Sequence, residues 1–126
     1  MEYIDDSLSP TVLITTALAV ATAALAATPA QAQDRSLWLY SGESTSVEGY
    51  LGYGETVYGS CDEDCMDMDL YLYDAFTGEL VYEDSAIDST PFVVAPWEGD
   101  FVIEVTMPNC AHPEGCAAWV SSDHGF

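Results

Sequence analysis

The sequence contains no lysine and a single arginine, Arg35, against 22 aspartate and glutamate residues. Proteins that bind nucleic acids neutralise phosphate charges with lysine and arginine side chains. Proteins that bind anionic membrane surfaces use the same residues. Both kinds of partner are therefore excluded. The formal net charge of −21 attracts cations and opposes compaction by self-repulsion, so we expect salt or divalent cations to stabilise the fold.

Histidine is also scarce, since His112 and His124 are the two in the chain. Neither lies in a metalloprotease motif or in a spacing that pairs a nucleophile with a base. Glycine-rich phosphate-binding loops are absent as well. With so many carboxylates, no particular acidic pair indicates a hydrolase. The sequence predicts a protein that is not an enzyme.

The apolar content is nevertheless high enough for a folded core. Hydrophobic residues make up 49% of the 126 residues and aromatic residues 12%. These fractions are far from those of disordered chains. A chain of this length has room for one domain.

The N-terminal residues predict a targeting segment. Residues 11–27 form an uncharged apolar run, and Ala30-Gln31-Ala32 supplies the small residues of a signal-peptidase site. We therefore predict a helical signal peptide over residues 1–32 and a secreted or periplasmic protein. The first six residues are acidic, whereas the start of a signal peptide is usually positively charged. The alternative is a membrane anchor at residues 11–27 that is not cleaved, although this run is short and weakly apolar for a membrane span.

Four cysteines lie in two close pairs, Cys61 with Cys65 and Cys110 with Cys116. In an exported domain of this size they predict disulfides, and the alternative is a tetrahedral zinc site. Three connectivities are possible. We favour the local pairs, because each brackets a loop between predicted strands. Such short loops contribute only about 2 kcal/mol each, against about 4 for a bridge between the two regions.

Short strand-like segments separated by turn residues follow the leader. Met68, Leu70 and Leu72 recur with a period of two, which places aliphatic side chains on one face of a strand. Segment 100–106 alternates in the same way, and we predict hairpins around the loops 74–78 and 96–99. The predicted strands are 37–40, 46–51, 55–60, 67–73, 79–83, 91–95, 100–106 and 116–121.

This pattern predicts an all-β protein, an antiparallel β-sandwich of jelly-roll type with about eight short strands. Residues 33–44 form the N-terminal segment of the mature chain. The sandwich domain occupies residues 45–121, and residues 122–126 form a C-terminal tail.

Several of these segments, taken in order, carry a resemblance to a known family. Met66–Asp74 contains D-x-D-L-x-L-x-D, Gly78–Asp84 contains a G-x-x-V-x-x-D hairpin, and Pro91 and Gly99–Val105 follow. Together they resemble the bacterial pre-peptidase C-terminal domain over about residues 45–120. The resemblance implies a β-sandwich on secreted proteins, usually a non-catalytic accessory module beside a protease, with calcium bound in some members. Phe101 replaces the usual tyrosine, and no protease domain accompanies the segment.

An acidic region spans the first cysteine pair and the following strand. Calcium takes six to eight oxygen ligands, several of them carboxylates. The carboxylates of this region predict a calcium site, and the alternative is a solvated acidic face. The candidate metal ligands are Asp62, Asp64, Asp67, Asp69 and Asp74.

Aromatic residues suggest a second candidate site. Tyr71 and Tyr73 project opposite the aliphatic side of their strand and are candidate ligand-binding residues. The alternative is that they pack against neighbouring strands. We expect Trp38, Trp97 and Trp119 to pack in the core or against hairpins rather than to contact a ligand, and the alternative for Trp97 is an exposed position in its turn.

The predicted function is an exported, non-enzymatic binding or accessory module in which calcium organises the acidic region. The alternative is a carbohydrate or surface-polymer binding domain that uses the tyrosine side chains. The expected partner is a protein or a glycan.

Overall fold

Eight antiparallel strands make up the part of the chain that the structure describes. The computed structural model describes residues 35–125, so the predicted signal peptide and the alternative anchor lie outside the described residues. Within 35–125 no helix has the length and apolar character of a membrane span. The strands are β1 (Arg35–Leu39), β2 (Glu43–Leu51), β3 (Thr56–Cys61), β4 (Cys65–Asp74), β5 (Leu80–Asp84), β6 (Phe92–Val94), β7 (Gly99–Cys110) and β8 (Cys116–Ser122).

The strands form two four-stranded sheets. Sheet one has the order β1-β8-β3-β6, and sheet two has the order β2-β7-β4-β5. All neighbours are antiparallel. These two strand orders are those of an eight-stranded jelly roll. The predicted all-β, jelly-roll-like sandwich is confirmed.

The core lies between the sheets and follows the period of two. In β4, Met68, Leu70 and Leu72 are fully buried, and in β7 Phe101 and Ile103 are fully buried too. Burying such a side chain contributes roughly 1.5–3 kcal/mol. The inward faces predicted for these two strands are therefore confirmed.

The two predicted hairpins have different outcomes. Strands β4 and β5 pair antiparallel across the loop 74–78, as predicted. The hairpin predicted around 96–99 is wrong, because β6 pairs with β3 while β7 pairs with β2 and β4. The loop 96–99 instead carries the chain from sheet one to sheet two. A turn that contains proline and glycine is compatible with a hairpin and with a crossing between the sheets. Only the pairing partners of the two flanking strands distinguish these connections.

Candidate functional site

The carboxylate of Asp62 holds the β3–β4 loop against β8. Its Oδ2 accepts a hydrogen bond from the backbone N–H of Ala117 at 2.8 Å, and its Oδ1 accepts one from Asp64 N–H at 3.1 Å. The backbone carbonyl of Asp64 in turn accepts a hydrogen bond from Ala111 at 2.7 Å. These contacts give Asp62 and Asp64 a structural role in joining two loops.

Asp74 closes the turn between β4 and β5. Its Oδ1 accepts hydrogen bonds from the backbone N–H groups of Thr77 at 3.0 Å and Phe76 at 2.7 Å, and these bonds lower the pKa of the Asp74 carboxyl. Asp67 and Asp74 are separated along β4 by about 23 Å at the usual rise per residue. One ion cannot contact both, so the structure does not bring the five candidate aspartates together.

Asp67 and Asp69 are the pair that the structure does bring together. Asp69 is only 7% exposed, and Oδ1 of each residue is buried with no hydrogen-bond partner among the described residues. Oδ2 of Asp69 accepts long hydrogen bonds of 3.5 Å from the hydroxyls of Tyr71 and Thr106. Burial, and then the charge of Asp67, raise the pKa of Asp69. The pair is therefore a concentrated and incompletely compensated negative charge.

The donor set at this pair is small for a metal ion. In residues 35–125, no three His, Cys, Asp or Glu side chains are grouped so that they could hold one. Asp67 and Asp69 offer at most four carboxylate oxygens, whereas calcium takes six to eight ligands. Any cation held there would keep part of its water shell.

The cysteines form two local disulfides, Cys61–Cys65 and Cys110–Cys116. This is the connectivity that the sequence favours. Cys65 and Cys110 lie directly opposite each other on β4 and β7. The two bridges therefore lie side by side at one end of the sandwich and fix adjacent loops.

Tyr71 and Tyr73 lie on the outer side of β4, opposite the buried aliphatic residues, as their spacing indicates. Both are half-buried. Tyr73 donates its hydroxyl to Oε1 of Glu104 at 3.0 Å, and Tyr71 donates to Asp69. Burial, with neighbouring carboxylates, raises the pKa of both tyrosines. Their rings are thus embedded among acidic side chains.

The outer face of sheet two is acidic. Cross-strand register and the alternation of side chains along each strand place six carboxylates on this side. They belong to Glu48, Asp67, Asp69, Glu83, Asp100 and Glu104.

The outer face of sheet one has the opposite character, because none of the strand residues at its outward positions is charged. Three of its aromatic side chains are about half exposed: Trp38 at 56%, Tyr58 at 47% and Phe92 at 44%; Trp119 is half-buried between them. We call these four residues the aromatic face. The outward positions are Ser36, Trp38, Thr56, Tyr58, Ser60, Phe92, Val94, Ala117, Trp119 and Ser121.

The strand register arranges the aromatic face as a diagonal row. Trp38 on β1 lies opposite Ala117 on β8, two residues from Trp119. Tyr58 on β3 lies opposite Ser121, two residues beyond Trp119, and faces Phe92 on β6 directly. Diagonal neighbours of this kind are about 7–8 Å apart. The row therefore crosses all four strands.

Two of the rings are held in place by hydrogen bonds. The indole Nε1 of Trp38 donates to the backbone carbonyl of Glu114 at 2.8 Å, and the hydroxyl of Tyr58 donates to Oδ1 of Asp123 at 3.0 Å. Gly115 lies against the indole, since a Cβ added there would approach Trp38 Nε1 to 2.5 Å. These rings are exposed and yet fixed in orientation.

Sequence reasoning missed the aromatic face. The expectation that the tryptophans pack in the core or against hairpins is wrong for Trp38, whose exposure is 56%. The available signal was the alternation in β1, where Leu37 and Leu39 occupy the inward positions and leave Trp38 outward. The same alternation turns Trp119 outward in β8.

Comparisons with known proteins give likenesses to solved structures only. The sequence matches no protein-family model and no curated protein. Solved structures similar to this chain include the crystal structure of Aeromonas hydrophila PliG, a periplasmic lysozyme inhibitor of g-type lysozyme. Its TM-score is 0.48 at 12% identity, over 75% of this chain and 89% of that chain. This similarity is too low to transfer an activity, and the resemblance to the pre-peptidase C-terminal domain stays a prediction.

Proposed function

We propose that the protein is an exported, non-enzymatic binding module that presents the aromatic face to its ligand. The observation that carries this proposal is the row of aromatic rings on a sheet face without charged residues, in a chain whose net charge is −21. Contiguous exposed apolar surface on a soluble domain is typical of an interaction site. Aromatic side chains are also enriched in the centres of interfaces.

The disulfides support export. Two bridges and no free cysteine are found in residues 35–125. Disulfides persist in oxidising compartments and are rare in the cytosol. This agrees with the signal peptide predicted from the sequence.

The fixed orientation of Trp38 and Tyr58 supports binding rather than chance exposure. A ligand that orders a free side chain pays an entropic cost of about 0.5–1.5 kcal/mol for each one. The hydrogen bonds to Glu114 and Asp123 have already ordered these rings. The surface is therefore prepared for contact before a ligand arrives.

Sedimentation with the insoluble cell envelope of the producing organism tests this proposal. We expect the mature protein to sediment with the envelope and the double variant Trp38→Ala/Phe92→Ala to stay in the supernatant. The matched control is Tyr53→Ala/Phe76→Ala, which removes two rings that are 82% and 96% exposed and lie outside the aromatic face. Equal sedimentation of both double variants would overturn the proposal.

The same assay evaluates the tyrosines of the acidic face. The alternative prediction assigns ligand binding to Tyr71 and Tyr73. If that assignment is right, Tyr71→Ala/Tyr73→Ala releases the protein from the envelope while Trp38→Ala/Phe92→Ala does not.

A second candidate function is cation binding at Asp67 and Asp69, with calcium as the predicted ion. The observation that favours it is the pair of buried carboxylate oxygens without a partner. Burying a charged oxygen without a partner costs free energy of desolvation, and a bound cation would offset that cost. Calcium would supply positive charge between the two carboxylates.

Thermal melting tests the cation site. A cation that binds the folded state alone raises the melting temperature, so millimolar calcium should raise it well beyond sodium chloride of matched ionic strength. Asp67→Asn/Asp69→Asn should abolish the excess shift, and Glu48→Gln/Asp100→Asn on the same face should keep it. Equal shifts with both salts would show that calcium acts only by screening charge, and the cation site would be rejected.

A further inference from the structure

We infer that the ligand of the aromatic face is a neutral polysaccharide chain. The inference rests on the proposed function, because it names the chemistry of the ligand for that same surface.

The charge distribution of the domain indicates the charge of the ligand. Residues 35–125 contain 18 of the 22 acidic residues, yet the ten outward positions of sheet one contain none. At the margins, Asp62 accepts two backbone hydrogen bonds and Asp123 accepts bonds from Thr56 and Tyr58. A cationic ligand would be attracted to the outer face of sheet two, where six carboxylates lie. An anionic ligand would be repelled by the domain as a whole. The face is therefore suited to a ligand without charge.

The net charge of the domain disfavours a second copy of the chain as the occupant of the aromatic face. A face-to-face dimer would bring together two domains that each carry this excess of carboxylates. Their mutual repulsion opposes association, and screening weakens it only beyond a Debye length of about 8 Å at physiological salt. A neutral glycan adds no such repulsion.

The surface chemistry matches sugar rings. A pyranose ring has faces of C–H groups and an edge of hydroxyl groups, so it stacks on an aromatic side chain and hydrogen-bonds at its rim. The aromatic face supplies rings, and Ser36, Ser60 and Ser121 place hydroxyl groups on the same side of the sheet beside Trp119 and Tyr58. Each serine hydroxyl both donates and accepts hydrogen bonds.

The length of the row indicates a polymer rather than a single sugar. Two diagonal steps lead from Trp38 through Trp119 to Tyr58, and one lateral step leads to Phe92. With about 7–8 Å for a diagonal step and about 5 Å for a lateral one, the row spans roughly 20 Å. Several consecutive sugar units are needed to contact all four rings at once. The residues 35–125 contain no enclosed pocket, and the four rings lie on the open surface of a sheet.

Binding to three forms of one polymer tests the inference. The mature protein is mixed with microcrystalline cellulose, carboxymethyl cellulose resin and diethylaminoethyl cellulose resin, and with chitin and starch granules as further neutral polymers. Each mixture contains 0.5 M sodium chloride, which suppresses binding through charge. Bound protein is measured by depletion from the supernatant.

We expect retention on at least one neutral polymer, and neither charged resin should retain more protein than microcrystalline cellulose, because the salt suppresses binding through charge. Retention on the diethylaminoethyl resin alone would assign binding to net charge and overturn the inference. Trp38→Ala and Phe92→Ala should each weaken retention roughly tenfold, as expected when an aromatic contact of the binding surface is removed. Tyr53→Ala and Phe76→Ala are the controls and should bind like the parent protein. Phe92 lies at the far end of the row from Trp38, so its variant reports on the face even if Trp38→Ala is destabilised.

The outcomes separate the inference from the proposed function. If no neutral polymer retains the protein while envelope sedimentation still requires Trp38 and Phe92, the inference fails and the binding module stands. If neutral polymers retain all variants equally, the assignment to this face fails. If neither assay depends on these rings, both proposals fail. A dimer in sedimentation velocity that Trp38→Ala dissociates would replace the glycan with a second copy.

Discussion

Trp38 on β1 and Glu114 in the β7–β8 loop are joined by a hydrogen bond of 2.8 Å from the indole nitrogen to the backbone carbonyl. The residues are 76 positions apart in the sequence. The Cys110–Cys116 disulfide closes the loop that contains Glu114. The disulfide therefore constrains the support of an exposed ring, in addition to any stability that it contributes.

Gly115→Ala should displace the Trp38 ring. Gly115 has φ +101°, and an added Cβ would approach Trp38 Nε1 to 2.5 Å and the Leu39 carbonyl to 3.0 Å. We expect a loss of more than about 2 kcal/mol in the free energy of unfolding, since left-handed backbone alone costs roughly 1–2 kcal/mol. Urea unfolding measures the loss, and a shift in tryptophan emission reports the ring.

Gly42→Ala is the matched control for that substitution. Gly42 has φ +86° and no atom within 4 Å of an added Cβ, so it carries the backbone strain without the crowding. A smaller loss with unchanged emission is expected. Equal losses for both variants would show that the contact between Gly115 and the indole is unimportant.

Removing the two disulfides separately should separate stability from support of the aromatic face. Cys110→Ser/Cys116→Ser and Cys61→Ser/Cys65→Ser each open a short loop, and each should lower the free energy of unfolding by about 2 kcal/mol. Only Cys110→Ser/Cys116→Ser should increase acrylamide quenching of Trp38. The quenching is measured in the background Trp97→Phe/Trp119→Phe, in which Trp38 is the remaining tryptophan. Equal quenching in both variants would contradict the role assigned to the β7–β8 loop.

The predictable part of the fold is the part that depends on neighbours in sequence. The alternation of Met68, Leu70 and Leu72 places the inward face of β4 before any partner strand is known. The local disulfides follow because each cysteine pair brackets a turn. The loop 96–99 shows the limit, since its turn residues are compatible with a hairpin and with a crossing between sheets.

The candidate site depends on register, which the sequence does not contain. Trp38, Tyr58, Phe92 and Trp119 come from four strands and become neighbours only in the order β1-β8-β3-β6. The candidate metal ligands show that residues near in sequence can also be far apart in space. Asp74 and Asp67 belong to one strand, yet its extended geometry keeps them about 23 Å apart.

Glu55→Gln should destabilise the C-terminal end of the domain. Glu55 is 4% exposed; it accepts hydrogen bonds from the Ser122 hydroxyl at 2.6 Å and from the backbone N–H groups of Gly52 and His124. Burial acts to raise the pKa of Glu55, but these hydrogen bonds together outweigh it and the pKa is lowered. A lowered pKa means that the carboxylate stabilises the fold above the unfolded pKa, near 4.3, and loses this contribution as the pH falls through the folded value.

We therefore expect Glu55→Gln to lower the free energy of unfolding by about 1–3 kcal/mol at pH 7. The difference from the parent protein should shrink as the pH falls below about 4. Glu79→Gln, at an exposed position, controls for the loss of one negative charge. A difference that is constant from pH 3 to pH 7 would show that hydrogen-bond geometry, not ionisation, makes the contribution of Glu55.

Asp69→Asn should have the opposite effect and stabilise the protein in the presence of a chelator. Burial, followed by the charge of Asp67, raises the pKa of Asp69. A carboxyl with a raised pKa contributes stability that is present below the unfolded pKa, near 3.9, and is lost as the pH rises through the folded value. An asparagine has no charge to bury. The free energy of unfolding of Asp69→Asn should therefore rise above that of the parent protein as the pH rises from the unfolded to the folded pKa of Asp69, and the difference should stay constant at higher pH. At pH 7 we expect a gain on the order of 1 kcal/mol, which corresponds to roughly 4–8 °C in melting temperature for a domain of this size.

Asp100→Asn is the control, because it removes a negative charge from an exposed position on the same outer face. A gain for Asp100→Asn as large as that for Asp69→Asn would assign the effect to net charge and not to burial. A loss for Asp69→Asn at pH 7 would mean that the hydrogen bonds from Tyr71 and Thr106 outweigh desolvation, despite their length of 3.5 Å. Adding calcium gives an independent reading, since an ion bound by Asp67 and Asp69 would stabilise the parent protein and reverse the order of the two melting temperatures.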